Sequence, residues 1–194
     1  MQAGARLEWL PLEALCYSGC LAENRLTMKL APGTEMLGWD VTAFGLPAAG
    51  LPYAPSRFCQ HIEVPGVWLE RACIAASDTL LMDSPLGLAE QRCMASIFFV
   101  AGRKLERHRR QAALDVAREV IKVNALRATA GATHPNVQVV VVRVLTPLVE
   151  PAMALLRQAW RGHFWQQPPS TPRIWSMLAL FFQQKLQDAA SAFC

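Results

Sequence analysis

Through roughly its first hundred residues the chain is interrupted by glycine or proline at intervals of about 8 to 15 residues: Pro11, Gly19, Pro32-Gly33, Gly38, Gly45, Pro47, Gly50, Pro52, Pro65-Gly66, Pro85 and Gly87. Neither residue suits the interior of a helix, because proline removes a donor and glycine loses the most backbone entropy on ordering, so the segments between them are too short for anything but strands and turns. Several of these segments alternate. In Leu26-Thr-Met-Lys-Leu30 the apolar residues share one face, and in His61-Ile-Glu-Val64 polar and apolar positions exchange at each step. A period of two predicts half-buried antiparallel strands. Pro65-Gly66 separates Gln60–Val64 from Val67–Arg71 and predicts a hairpin, and Cys93 to Val100 predicts a deeply buried strand.

The texture changes at Arg103. Ala113, Val116, Ala117, Val120 and Ile121 recur at helical spacing and predict an amphipathic helix between Leu105 and Val123. Gly131-Ala-Thr-His-Pro135 has the composition of a loop, and Val137 to Leu145 that of a strand covered on both faces. Thr146-Pro147, with Glu150 three residues on, predicts a capped helix start running to about Arg161. Thr171-Pro172 repeats the device and predicts a terminal helix to about Gln187. The expectation is a mainly β protein: a single β-rich domain of antiparallel strands over residues 1–175, with two or three helices toward the C-terminus, and a helical tail over residues 176–194.

Hydrophobic residues make up 53% of the chain and charged ones 18%, against about 45–50% and 25% in an ordinary soluble domain. Such a chain has a large core or a face that a partner covers. No apolar run reaches the ~18 residues of a membrane helix, and the N-terminus lacks the pattern of a secretory signal, so a cytoplasmic location is expected. In such a setting the six cysteines, Cys16, Cys20, Cys59, Cys73, Cys93 and Cys194, are expected to be free thiols.

No G-x-S-x-G, HExxH, P-loop or G-x-G-x-x-G motif occurs, so the chain is not expected to be an enzyme; a small hydrolase using one of the thiols is the competing reading. Arg103-Lys-Leu-Glu-Arg-His-Arg-Arg110 raises a nucleic-acid-binding module as a further alternative, but it lacks interleaved aromatics for base stacking and reads better as a solvated helix start. Neither Cys16-x3-Cys20 nor His61, His108, His134 and His163 have the spacing of a zinc site. Glu8, Glu13, Asp40, Glu63 and Glu70 lie in or beside strand segments. Any of them that faces inward is costly unless paired or bound to a cation, and is a candidate oxygen ligand for a transient divalent ion.

Gly4-Ala-Arg-Leu-Glu-Trp-Leu-Pro11, Gly38-Trp-Asp40, Trp68-Leu-Glu-Arg71, Ser84-Pro-Leu-Gly-Leu88, Ala130-Gly-Ala-Thr133, Val142-Arg-Val-Leu145 and Pro172-Arg-Ile-Trp175 occur in the order seen in urease accessory proteins of the UreD/UreH family, which the chain resembles. The resemblance implies a β-rich, non-catalytic maturation factor. Its implied partners are UreF, through it the GTPase UreG, and apo-urease, with no nucleic acid and no membrane. It further implies no tightly bound cofactor but transient passage of Ni2+, for which Glu8, Asp40 and Glu70 are the candidate path carboxylates. Gly45-Leu-Pro-Ala-Ala-Gly-Leu51 stands where the family has Gly-Arg-x-x-x-Gly-Glu. The family pattern also begins with further strands ahead of Leu7, so the chain reads as N-terminally truncated, with poor solubility and weak or no maturation activity as the expectation.

Overall fold

The computed structural model describes residues 4–161; the C-terminal helix expected after Thr171, the Pro172–Trp175 segment and the tail lie outside the described residues. Among the described residues nine strands form two sheets. The larger contains β1 (Arg6–Trp9), β2 (Ala14–Cys16), β4 (Glu35–Phe44), β7 (Cys93–Ala101), β9 (Val139–Thr146) and β8 (Ala130–Asn136), in the order β1-β4-β7-β9-β8 with β2 also on β4. The smaller is β3 (Leu21–Thr27), β5 (Arg57–Val64) and β6 (Trp68–Ala75), in that order. Three helices complete the described chain: α1 (Thr79–Asp83), α2 (Arg107–Lys122) and α3 (Val149–Arg161). None of them is long and apolar enough to cross a membrane.

The mainly β class holds, while the ladders are of mixed direction. β4–β7, β5–β6, β7–β9 and β8–β9 are antiparallel, but β1 and β2 run parallel to β4, and β3 parallel to β5. The cause is the path of the chain, which passes from β2 in one sheet to β3 in the other, back to β4, and again to β5. The strands paired in parallel are then two or three steps apart in sequence and point the same way. Alternation of inward and outward side chains is the same in either case, so a period of two reports burial and not direction.

The large sheet is the middle layer of three. The even-numbered residues of β4 and β7 face the small sheet, where Met36, Phe98 and Val100 pack with Ile62, Val64 and Trp68. The odd-numbered residues face the helices: Trp39 meets Trp160 of α3 edge to face at 6.4 Å, and the Arg109 guanidinium of α2 lies over Phe99. Cover on both faces is why β7 and β9 are almost unbroken apolar runs. In α2 the buried seam is Leu114, Ala117 and Ile121, with the expected Ala113, Val116 and Val120 half-buried beside it.

Four local expectations are corrected. Gly131–Pro135 is not a loop but part of edge strand β8, and Pro135 falls at the register shift between Thr133 and Asn136, where the ladder is interrupted and a missing N–H costs nothing. Thr146 ends β9, and its hydroxyl donates to the Leu148 carbonyl instead of capping α3, which starts at Val149 with Glu150 in its first turn. Helix α1 arises where only strands were expected, capped by the Asp78 carboxylate, which accepts from the Leu81 N–H. Finally, Cys59 and Cys73 are not free thiols: the hairpin register sets them directly opposite, and they form a disulfide on the outer face of the small sheet. Among the described cysteines, Cys16, Cys20 and Cys93 are free.

Candidate functional site

Between the two sheets the packing is not uniformly apolar. One cluster gathers Met36, Phe98, Val100, Val139 and Val141 with Ile62, Val64 and Trp68; another gathers Phe44 and Cys16 with Phe58, Ile74, Tyr53, Met82 and Leu88. Polar residues run between them. Register places Asp40 of β4 opposite Ser96 of β7, and Ser96 opposite Arg143 of β9, so these three form a row across the large sheet. The facing sheet answers with Asn24 of β3 opposite Gln60 of β5, and with Glu70 of β6. Thr42, Gln60 and Ser96 are buried. Polar groups in a sandwich interior are costly unless hydrogen-bonded, so a belt of them that crosses two hydrophobic clusters demands partners at every step.

Asp40, Thr42, Gln60 and Asn24 are linked to one another, and Glu70 to Arg143. Gln60 Nε2 donates to Asp40 Oδ2 across the interlayer, and Thr42 Oγ1 donates to the same oxygen at 3.4 Å. Burial pushes the Asp40 carboxyl above the usual aspartate range; the hydrogen bonds from Gln60, Thr42 and Asn24 pull it back down, and the nearby Glu70 charge pushes it further up. At the other end, Arg143 Nε donates to Glu70 Oε1 at 3.3 Å while Nη2 pairs with Oε2, and Arg143 Nη1 donates to Thr133 Oγ1 at 3.4 Å. Asp40 opens on a cleft of about 370 Å³ that also borders Trp9, Leu12, Glu13, Asn24 and Trp39. The belt thus reaches solvent at both edges of the sandwich.

Of the expected carboxylates, the structure brings Asp40 and Glu70 into one belt and places Glu8 elsewhere. Glu8 pairs in register with Leu37, on the helix-facing side of the large sheet, where its Oε1 accepts from Trp160 Nε1 at 3.0 Å. Glu13 lines the cleft, whereas Glu63 points outward and pairs with His61 at 3.1 Å. Among the described residues, no three His, Cys, Asp or Glu side chains are gathered as a metal cage.

Two of the thiols, Cys16 and Cys93, are poorly placed for nucleophilic work. Burial pushes Cys16 up to about 12 and Cys93 up to about 11, so neither supplies thiolate near neutrality. Part of the basic segment is structural, since Arg109 and Arg6 both pair with Glu35.

A family model described as UreD urease accessory protein matches residues 1–176. The chain belongs to the UreD family. It is 80% identical over 180 residues to the urease accessory protein UreD of Polaromonas naphthalenivorans, covering 91% of this chain and 65% of that relative. The UreD of Paracidovorax citrulli is 67% identical over the same length, and that of Methylibium petroleiphilum 44% over 188 residues. The chain spans about 65% of the length of the curated relatives it matches. Three of the segments that carry the UreD resemblance supply the charged residues of the belt: Asp40 from Gly38-Trp-Asp40, Glu70 from Trp68-Leu-Glu-Arg71 and Arg143 from Val142-Arg-Val-Leu145. Sequence reasoning missed Asn24, Gln60, Ser96 and Arg143 as members. Their strands are far apart in the chain, and only register brings them together.

Proposed function

We propose that this UreD chain is a non-catalytic maturation factor for urease, acting in the cytoplasm with UreF and UreG to deliver nickel to apo-urease, and that Ni2+ passes transiently along the inter-sheet belt by way of Asp40 and Glu70. The observation that carries this reading is a carboxylate, Asp40, held between two sheets by the neutral partners Gln60, Thr42 and Asn24 and open to a solvent cleft. Neutral amide and hydroxyl groups fix such a carboxylate in place without cancelling its charge. Ni2+ is a borderline cation that nitrogen and sulfur ligands hold more tightly than oxygen, so single carboxylates spaced along a route hold it weakly enough to hand it on. The raised pKa of Asp40 points the same way, because an ion arriving there relieves the cost of a buried charge.

The thiol-hydrolase alternative is disfavoured by the raised thiols of Cys16 and Cys93. The test is nickel loading of urease in cells lacking their own UreD, supplied with UreF, UreG and this chain. Loading above the empty-vector level that drops with Asp40→Asn, at equal soluble chain and equal co-purification with UreF, supports the proposal. Equal loading by both forms refutes the belt as the route.

A further inference from the structure

The two ends of the belt differ in a way the proposed route does not require. The partners around Asp40 are neutral, but Glu70 is clasped by a guanidinium through two contacts, Nε to Oε1 at 3.3 Å and Nη2 to Oε2. Arg143 is the exposed position of β9, otherwise buried or half-buried along its length, and its third contact is to Thr133 on the edge strand β8. A charged residue in the middle of a buried strand is costly without a partner. Arginine also keeps its charge at every physiological pH and matches a carboxylate with a planar fork, so the clasp does not open by deprotonation. The Glu70 side chain is 21% exposed and that of Arg143 44%, which puts the carboxylate inside and the cation at the rim.

We propose that Arg143 is a resident counter-ion that latches the β6–β9 end of the belt: it occupies Glu70, and a divalent cation moving along the belt must displace it there. This rests on the reading of the belt as a cation route. The latch makes the two ends of the belt unequal. A divalent ion meets an unneutralised carboxylate at the Asp40 cleft, and at Glu70 it meets a tethered single positive charge that repels it until the guanidinium swings away. A doubly charged ion competes with the singly charged fork for the same two oxygens, and Arg143, held near by its contact to Thr133, re-forms the pair once the ion has left. Arg143 is in this sense a positioning residue: it sets how long Glu70 keeps an ion.

The test uses the purified 194-residue chain with Ni2+ alone as the probe. Affinity is read by equilibrium dialysis, and release by stopped-flow transfer to an excess of chromogenic chelator. Removing the fixed charge in Arg143→Gln is expected to tighten Ni2+ binding about tenfold and to slow release in proportion. Adding Glu70→Gln is expected to abolish that gain, and Arg143→Lys, which keeps the charge but not the fork, to give a gain smaller than that of Arg143→Gln. Should the glutamine form fail to fold, Arg143→Met keeps the packing of the stem and is expected to give the same gain. No Glu70-dependent gain in a folded variant overturns the latch. The route itself is judged by Asp40→Asn: weaker binding there with no gain in Arg143→Gln leaves the route and removes the latch, whereas unchanged binding in Asp40→Asn removes the route and the latch with it, a gain in Arg143→Gln then reporting only an isolated cation site at Glu70.

Discussion

Gly38 sits in β4 directly opposite Phe98 of β7, and the Phe98 ring lies across the space a side chain would occupy. A Cβ built on Gly38 comes within 2.5 and 2.6 Å of two Phe98 ring carbons and 3.4 Å of the Trp9 carbonyl oxygen. Carbon atoms pack at about 3.5–4.0 Å, so in Gly38→Ala the ring must retreat by roughly 1 Å. Its room to do so is limited, because Phe98 is fully buried and packed at a tilt of 52° against Trp68, with 5.6 Å between ring centroids. Overpacking of this kind costs about 1–3 kcal/mol, and the ordinary gain of replacing a strand glycine by alanine returns about 0.5–1 kcal/mol. The net loss expected is about 1–2 kcal/mol. Urea denaturation followed by fluorescence measures it, and Phe98→Leu supplies the control: if the ring is the obstacle, the double variant is more stable than the sum of the single effects by about 1 kcal/mol or more. Gly38→Ala as stable as the parent, or strictly additive effects, refutes the packing argument and the placement of β4 against β7 on which the belt depends.

The raised pKa of Asp40 fixes a sign for pH dependence. The folded chain holds this proton more tightly than the unfolded chain, so the contribution to stability is present below the ordinary aspartate value of about 3.9 and is lost as pH rises through the higher folded value. Asp40→Asn does not titrate, so its stability relative to the parent is expected to improve as pH rises from about 4 across that window; a gap independent of pH contradicts the buried, desolvated carboxylate. The Cys59–Cys73 disulfide closes a segment with a sequence separation of 14, and Cys59→Ser or reduction is expected to cost about 2 kcal/mol in urea, with a 2 Da mass gain on reduction confirming the bond. Two alkylatable thiols at these positions in the untreated native chain exclude it.

Much of the layer plan was legible because burial leaves a periodic trace. The helical stripe of α2 and the apolar runs of β7 and β9 follow directly from which faces are covered, and the Pro65-Gly66 hairpin from its turn chemistry. The disulfide was within reach too: a turn centred there that pairs Val64 with Trp68 necessarily pairs Cys59 with Cys73. The weight given to compartment obscured it. Strand direction left no trace, since β3 alternates alike whether β5 runs with it or against it. Edge strand β8 carries glycine and proline because one of its sides needs no partner, so composition misread it. For the site, Asp40 and Glu70 were visible as charges in strand segments, but Glu8 had the same signature and lies on the opposite face of the sheet. A register offset of one residue decides the face, and only the assembled ladder fixes it.

Asp40 is the proposed oxygen ligand for a passing divalent ion, and equilibrium dialysis of the purified chain against radioactive Ni2+ tests that role most directly. Measurable binding near neutral pH is expected, falling several-fold in Asp40→Asn while the thermal unfolding of the variant shows an intact fold. Binding of equal strength in the two proteins would contradict it.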